Sequence, residues 1–143
     1  MTSAVESRSS TVSSVIDRKA HQMIIKKISS VAATPVSMAG ASNTDMQMLL
    51  GPGDGCPNFA MRKFTVHPGG HTPHHQHDYE HEVLVLRGSG RAIMADGSAQ
   101  MLEAGDVAYV PANQMHQFQN AGNTDFEFIC LVPASVHQPV NCS

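Results

Sequence analysis

The sequence has no run of about 18 consecutive apolar residues, which excludes a membrane-spanning helix. Its first residues lack the apolar stretch of a secretory leader. That start is Ser-rich and holds Arg8 and Arg18, a composition shared with organelle transit peptides, but Glu6 and Asp17 argue against one. The three cysteines, Cys56, Cys130 and Cys142, are odd in number and far apart, so there is no disulfide framework and a reducing cytoplasm is expected. There is no repeat at solenoid period and almost no helical periodicity.

Charge is sparse as well. Charged residues make up 15% of the chain and hydrophobic ones 41%, as in an ordinary soluble globular protein. The net charge of −3 is uneven: residues 1–30 carry five basic and two acidic side chains, the remainder four and ten. So acidic a body is a poor binder of nucleic acid. The basic tail is short and scattered and reads as solvated.

The 143 residues suffice for one domain. Residues 1–22 read as a flexible extension, with a helical turn near Val15–Ala20. Residues 23–135 read as the folded body and 136–143 as a polar tail, frayed from Ala134 on. Met23–Ile28 is the first strand-like run, and residues 31–45 are expected to lie extended on the surface. Further strands are predicted at Met46–Leu50, Phe59–Val66, His81–Arg87, Arg91–Ala95, Ala99–Leu102, Val107–Val110, Met115–Gln119 and Phe126–Val132. Gly51–Gly55 reads as a loop, Pro68-Gly69-Gly70 as a strand terminator, Asp96-Gly97 as a hairpin turn and Gly122-Asn123 as a turn. Short strands at this spacing indicate an all-β barrel or sandwich.

What the chain has in excess is histidine. Five of its nine histidines fall between Gly69 and Gly88. Strand alternation lets His75 and His77 share a face, and His81 opens the next strand on a face with Val83, Val85 and Arg87. Imidazoles converging from neighbouring strands make a divalent metal site of the kind that suits zinc, copper, iron and nickel. Glu82 has the opposite parity to His81 and reads as facing away. His74 should point away from the site, and His71 reads as an exposed loop histidine.

Two spaced patterns carry a resemblance. Gly69, His75, His77 and Gly88 match the first motif of the cupin family. Gly105, Pro111, His116 and Asn120 match its second. Asn113 stands where the second motif has Gly, and Asn tolerates positive φ. The usual acid of the first motif is replaced by His81, which resembles the four-histidine subgroup of small cupins. That subgroup includes a manganese-containing cupin from a thermophile and cupin-type polyketide cyclases.

The resemblance implies a single-domain jelly-roll barrel (a double-stranded β-helix). One divalent metal ion (manganese, iron or zinc) would be held by His75, His77, His81 and His116. It also implies a homodimer, with residues Ile24–Ile28 a candidate for crossing between subunits. Since neutral imidazoles must bind the ion, binding is expected to weaken as pH falls through roughly 6.5.

Parity gives the cavity walls. Glu127 should face outward, which leaves Phe126, Phe128, Cys130 and Val132 facing inward. In the Phe59–Val66 strand the inward set is Arg62, Phe64 and Val66 by resemblance; sequence alone leaves Phe59, Met61 and Lys63 open. Phe64, Phe128 and Cys130 would contact substrate. An inward Arg62 would orient a substrate carboxylate or phenolate, and a surface salt bridge is its alternative. Cys130 reads as a wall residue, because no base partner for it is identifiable. Met94, Met101 and Met115 read as core, and Tyr79 as packing.

Two functions fit. One is an enzyme acting on a small, oxygenated, largely apolar substrate, by dioxygenase-type chemistry or by Lewis-acid chemistry such as polyketide cyclisation. The other is a non-catalytic module that binds a metal or small ligand.

Overall fold

The computed structural model describes residues 22–137. The helical turn expected near Val15–Ala20 lies outside them. Nine strands follow in chain order: β1 (Thr34–Pro35), β2 (Ser42–Leu50), β3 (Phe59–His71), β4 (His81–Arg87), β5 (Ser89–Ile93), β6 (Ala99–Glu103), β7 (Val107–Val110), β8 (Gln117–Asn120) and β9 (Phe126–Pro133). They form one curled antiparallel sheet in the order β6-β5-β8-β3-β9-β4-β7, with β2 also paired to β3 and β1 to β2. No α-helix occurs among the described residues. The all-β barrel expected from the sequence is what forms.

The core follows from strand alternation. In β9 the β-branched and aromatic run alternates buried and half-buried, and Phe126, Phe128, Cys130 and Val132 all point inward. In β4 the inward residues are His81, Val83 and Val85, while Glu82 is exposed. Glu127 faces outward and pairs with Lys63 at 3.1 Å and Arg87 at 3.2 Å. The rings of Phe64, Phe118 and Phe126 each pack on Phe128, with centroids 5.2–5.4 Å away. With Val66 and Val85, these rings fill the space between the two arms of the sheet.

Strand β3 is longer than expected. Pro68-Gly69-Gly70 does not end it; it forms a bulge through which the strand bends and carries on. Partners jump from Thr44↔Val66 to Ser42↔His71, so the extra residues lie between two paired positions. A Cβ on Gly70 would lie 2.6 Å from the Asn43 carbonyl oxygen and 2.7 Å from that of Ser42, so only glycine fits. The bend lets β3 pair with β9 through Phe59–Val66 and with β8 at His71. It therefore brings both histidine stretches to one cavity.

Other expectations change at the edges. Met23–Lys27 is irregular, not a strand, and Ile28–Ser30 is a 3-10 turn. The outer side of β2 is occupied by β1, and the segment is tied instead by Lys26–Asp54 at 3.0 Å and by Gln47 donating to the Ile28 and Val31 carbonyls. The Gly51–Gly55 loop contains a 3-10 turn, Pro52–Asp54. Ala134–His137 is a 3-10 turn and is not frayed: Ala134 is buried and its N–H donates to the Asn58 carbonyl at 3.0 Å. Residues 138–143 lie outside the described part. Met94 and Met101 are not core; they are 43% and 52% exposed on the β5–β6 hairpin.

Candidate metal centre

The two histidine stretches meet through backbone hydrogen bonds. His75 and His116 form an isolated antiparallel bridge, with N–H to carbonyl distances of 3.1 and 3.0 Å. Further along the same segments, the Thr72 N–H donates to the Phe118 carbonyl. The Asn113 N–H donates to the His77 carbonyl at 2.7 Å. Asn113 adopts φ 66°, so asparagine does keep the left-handed turn that the motif usually gives to glycine. His77 therefore sits in a loop clasped by the 111–116 turn, and strand alternation is not what orients it.

One ring nitrogen each from His75, His77 and His116 lies within 4.8 Å of the others. His81 approaches from β4: its Nε2 is 3.1 Å from Nε2 of His116, and its ring centroid is 5.0 Å from that of His77. The four predicted histidines thus converge, with His81 entering on the side of His77 and His116. His74 is exposed and points away. His71 is bonded to Thr72 and Gln117 and lies outside the cavity lining.

Hydrogen bonds fix which nitrogen His77 and His116 present. Nδ1–H of His77 donates to the Tyr79 carbonyl at 3.1 Å, and Nδ1–H of His116 donates to the Gln114 carbonyl at 2.8 Å. A carbonyl only accepts, so in the neutral rings Nε2 carries the free lone pair. Nδ1 of His81 faces Sγ of Cys130 at 3.1 Å. The Tyr79 ring stacks flat on His77 at 3.9 Å, which holds that imidazole in its plane.

Burial keeps these rings neutral. It pushes His75 down to about 4 and His81 to about 3, aided by the neighbouring imidazoles and Arg62. His77 and His116 are also lowered, chiefly by burial. Proton competition at these rings is therefore shifted below the pH of roughly 6.5 expected from free histidine.

A cation shares the cavity. Arg62 points inward together with Phe64 and Val66, which settles the parity left open by the sequence. Its guanidinium lies 5.0 Å from the Phe64 ring centroid, and Nη2 donates to Cys130 Sγ at 3.0 Å. Its Nε is buried with no hydrogen-bond partner, and no carboxylate among the described residues pairs with it. The cavity is about 100 Å³ and is walled by Phe64, Phe118, Phe128 and Met38, with Thr44 and Thr72 at its polar margin.

Sequence reasoning missed two features here. Cys130 does have an imidazole partner, His81, which lies 49 positions earlier in the chain. His137 is lowered by burial and by Arg62, and its Nε2 is buried without a partner. Alternation had placed Cys130 inward, and the family resemblance Arg62; only the registers Arg62↔Cys130 and Val83↔Cys130 join them to His81.

The donors suit a divalent ion. Two nitrogens bonded to one ion at about 2.0–2.1 Å each lie roughly 3 Å apart, and His81 and His116 meet that separation. Four neutral imidazoles would leave such an ion's charge uncompensated. Arg62 and its orphaned Nε add to the demand for an anion.

The family profile described as "Cupin domain" matches residues 62–132. The solved structure of the polyketide cyclase RemF from Streptomyces resistomycificus is similar, with a TM-score of 0.75 and 30% identity over 79% of this chain and 80% of that one. The 1-methylthio-D-xylulose 5-phosphate methylsulfurylase of Rhodospirillum rubrum is 32% identical over 79 residues, 55% of this chain and 50% of that protein. The oxalate-binding protein of Thermotoga maritima is 33% identical over 66 residues, 46% of this chain and 54% of that protein. The chain thus spans about half the length of these curated relatives.

Proposed function

As the chain belongs to the cupin superfamily, we propose that it is a metal-dependent enzyme for a small, oxygen-chelating, anionic substrate. His75, His77, His81 and His116 would hold one divalent ion, and the ion would supply Lewis-acid polarisation of an enolisable carbonyl. The observation that carries this reading is the Arg62 guanidinium, without a carboxylate partner among the described residues, in the same cavity as four neutral imidazoles. Zinc or manganese fits this chemistry; iron on the same ligands would turn it toward dioxygen.

The chain's own groups have defined tasks. Arg62 holds a carboxylate, phenolate or enolate oxygen. Phe64 and Phe128 form a stacked wall that excludes water and shapes the carbon skeleton. Cys130 lines the wall between Arg62 and His81. At about 100 Å³ the cavity is well under the 300 Å³ or more that encloses a drug-sized ligand, so it accepts the reacting end of a substrate. Cyclisation or isomerisation of a β-dicarbonyl unit fits this size, and RemF is a polyketide cyclase.

A second reading is a non-catalytic binding module. It is favoured by the absence of a carboxylate base among the described cavity residues and by the likeness to an oxalate-binding protein. We further propose that the protein is a cytoplasmic homodimer.

The test is elemental mass spectrometry on untagged protein, with turnover assays on small β-keto acids. Near-stoichiometric zinc or manganese with turnover supports the enzyme. Metal with saturable oxalate binding and no turnover supports the module. Protein that takes up no metal under any condition overturns both.

A further inference from the structure

Cys130 sits where the four ligands can be told apart. His77 and His116 donate Nδ1–H to backbone carbonyls, which can only accept, so their tautomers are fixed. His81 is different: its Nδ1 partner is the Cys130 thiol, which can donate or accept.

The hydrogen positions follow from the pairing. Nε2 of His116 has no proton, because Nδ1 holds it. Nε2 of His81, 3.1 Å away, must then donate to it in the metal-free protein. That leaves Nδ1 of His81 as an acceptor, and the Cys130 S–H fills it. When Nε2 of His81 faces a cation, the proton must sit on Nδ1. The sulfur then accepts Nδ1–H with one lone pair and the Arg62 Nη2–H, 3.0 Å away, with the other. The heavy atoms suit both states.

Resting on the metal-centre reading above, we propose that Cys130 is a positioning residue that lets His81 exchange tautomer when the site is loaded. One proton moves from Nε2 to Nδ1 of His81, relayed by solvent, and the thiol keeps its own proton by rotating it away. A side chain able only to donate, or unable to do either, would favour one of the two states or neither. Cys130 also ties His81 to Arg62, so the ligand and the anion-holding cation share one anchor.

The test combines spectroscopy with variants. The ¹⁵N shifts of the His81 ring are measured in metal-free and zinc-loaded protein. A change from Nε2–H to Nδ1–H supports the proposal; Nδ1–H in both states overturns it. Zinc affinity is then measured by chelator competition, and the cobalt-loaded spectrum recorded, for parent, Cys130→Ser and Cys130→Val. The serine hydroxyl donates and accepts, so its affinity and spectrum stay close to the parent's. Valine conserves the volume and loses both roles; its affinity falls about 10-fold or more and its cobalt bands shift. Valine equal to the parent in both readouts makes Cys130 a wall residue only. Should a variant misfold, the parent's tautomers alone decide. Parent protein that binds neither zinc nor cobalt overturns the metal centre itself, a result distinct from the other failures.

Discussion

Nε2 of His81 and Nε2 of His116 lie 3.1 Å apart, on residues from β4 and from the entry to β8. Two lone pairs do not approach so closely without a proton or a cation between them. The fold thus brings two ring nitrogens to the separation that a shared ion would set, at the expense of burying His81 and His116.

Replacing a ligand should uncouple metal from fold. In His81→Ala or His116→Ala, metal content measured by elemental mass spectrometry falls to well under one ion per chain. The metal-free variants should still fold, since burying fewer polar rings offsets the lost contacts. Chelation of the parent should lower its thermal midpoint, because an ion that binds only the native state stabilises it.

Arg62 is predicted to matter for the ligand and to cost stability. Arg62→Met removes a half-buried cation that has no carboxylate partner among the described residues, so the metal-free thermal midpoint should hold or rise. Affinity for small carboxylates such as oxalate, measured by calorimetry on metal-loaded protein, should fall about 10- to 100-fold, the loss of a charged hydrogen bond worth roughly 1.5–3 kcal/mol. Lysine should restore little, since it lacks the planar fork that both lies over Phe64 and reaches Cys130.

His67 predicts a pH dependence away from the site. Its ring bridges Asp45 and Asp125, each at 2.9 Å, and these carboxylates raise its proton affinity above the ordinary value of 6.5. A raised folded-state pKa means stabilisation that is complete below pH 6.5 and lost as pH climbs through the folded value. The group is about one-third exposed, so the effect is small, on the order of 0.5 kcal/mol. The difference in urea midpoint between parent and His67→Gln should be largest below pH 6.5 and shrink above it. A difference that grows with pH would contradict this.

Gly70 should tolerate no side chain. A Cβ there meets backbone oxygens, which cannot swing aside as a flexible side chain can. Gly70→Ala should lose at least about 2 kcal/mol in chemical denaturation. It should also weaken metal binding, because the bulge sets how β3 reaches β8.

The outer face of β4 and β7 carries Leu84, Val107 and Tyr109, which are 42%, 75% and 59% exposed. This is the apolar surface the proposed homodimer would cover. Light scattering should give a mass of two chains, and Val107→Glu should convert it to one.

Much of this was legible in the sequence because local chemistry decides it. Period-two alternation set the inward faces of β4 and β9, and Gly69–Gly88 and Gly105–Asn120 announced the histidines by spacing. Glycine and asparagine marked most turns correctly. They failed at Pro68-Gly69-Gly70, where the same residues serve a bulge in a continuing strand, because pairing on both sides of the bend outweighs the local turn signal. Met23–Ile28 has strand composition without a strand partner, and composition cannot supply one.

The sequence by itself determined the all-β architecture, the identity of the four histidines and the inward parity of Cys130. Only the tertiary structure decided that Arg62 faces the cavity, that Cys130 lies between Arg62 and His81, and that His137 is near enough to Arg62 to feel its charge. The reason is strand register. Parity follows from a strand's own two-residue period, but which residues touch across neighbouring strands depends on pairing between positions 49 and 68 residues apart. Those contacts set which groups face the two nitrogens of His81, and that is a property of the folded sheet.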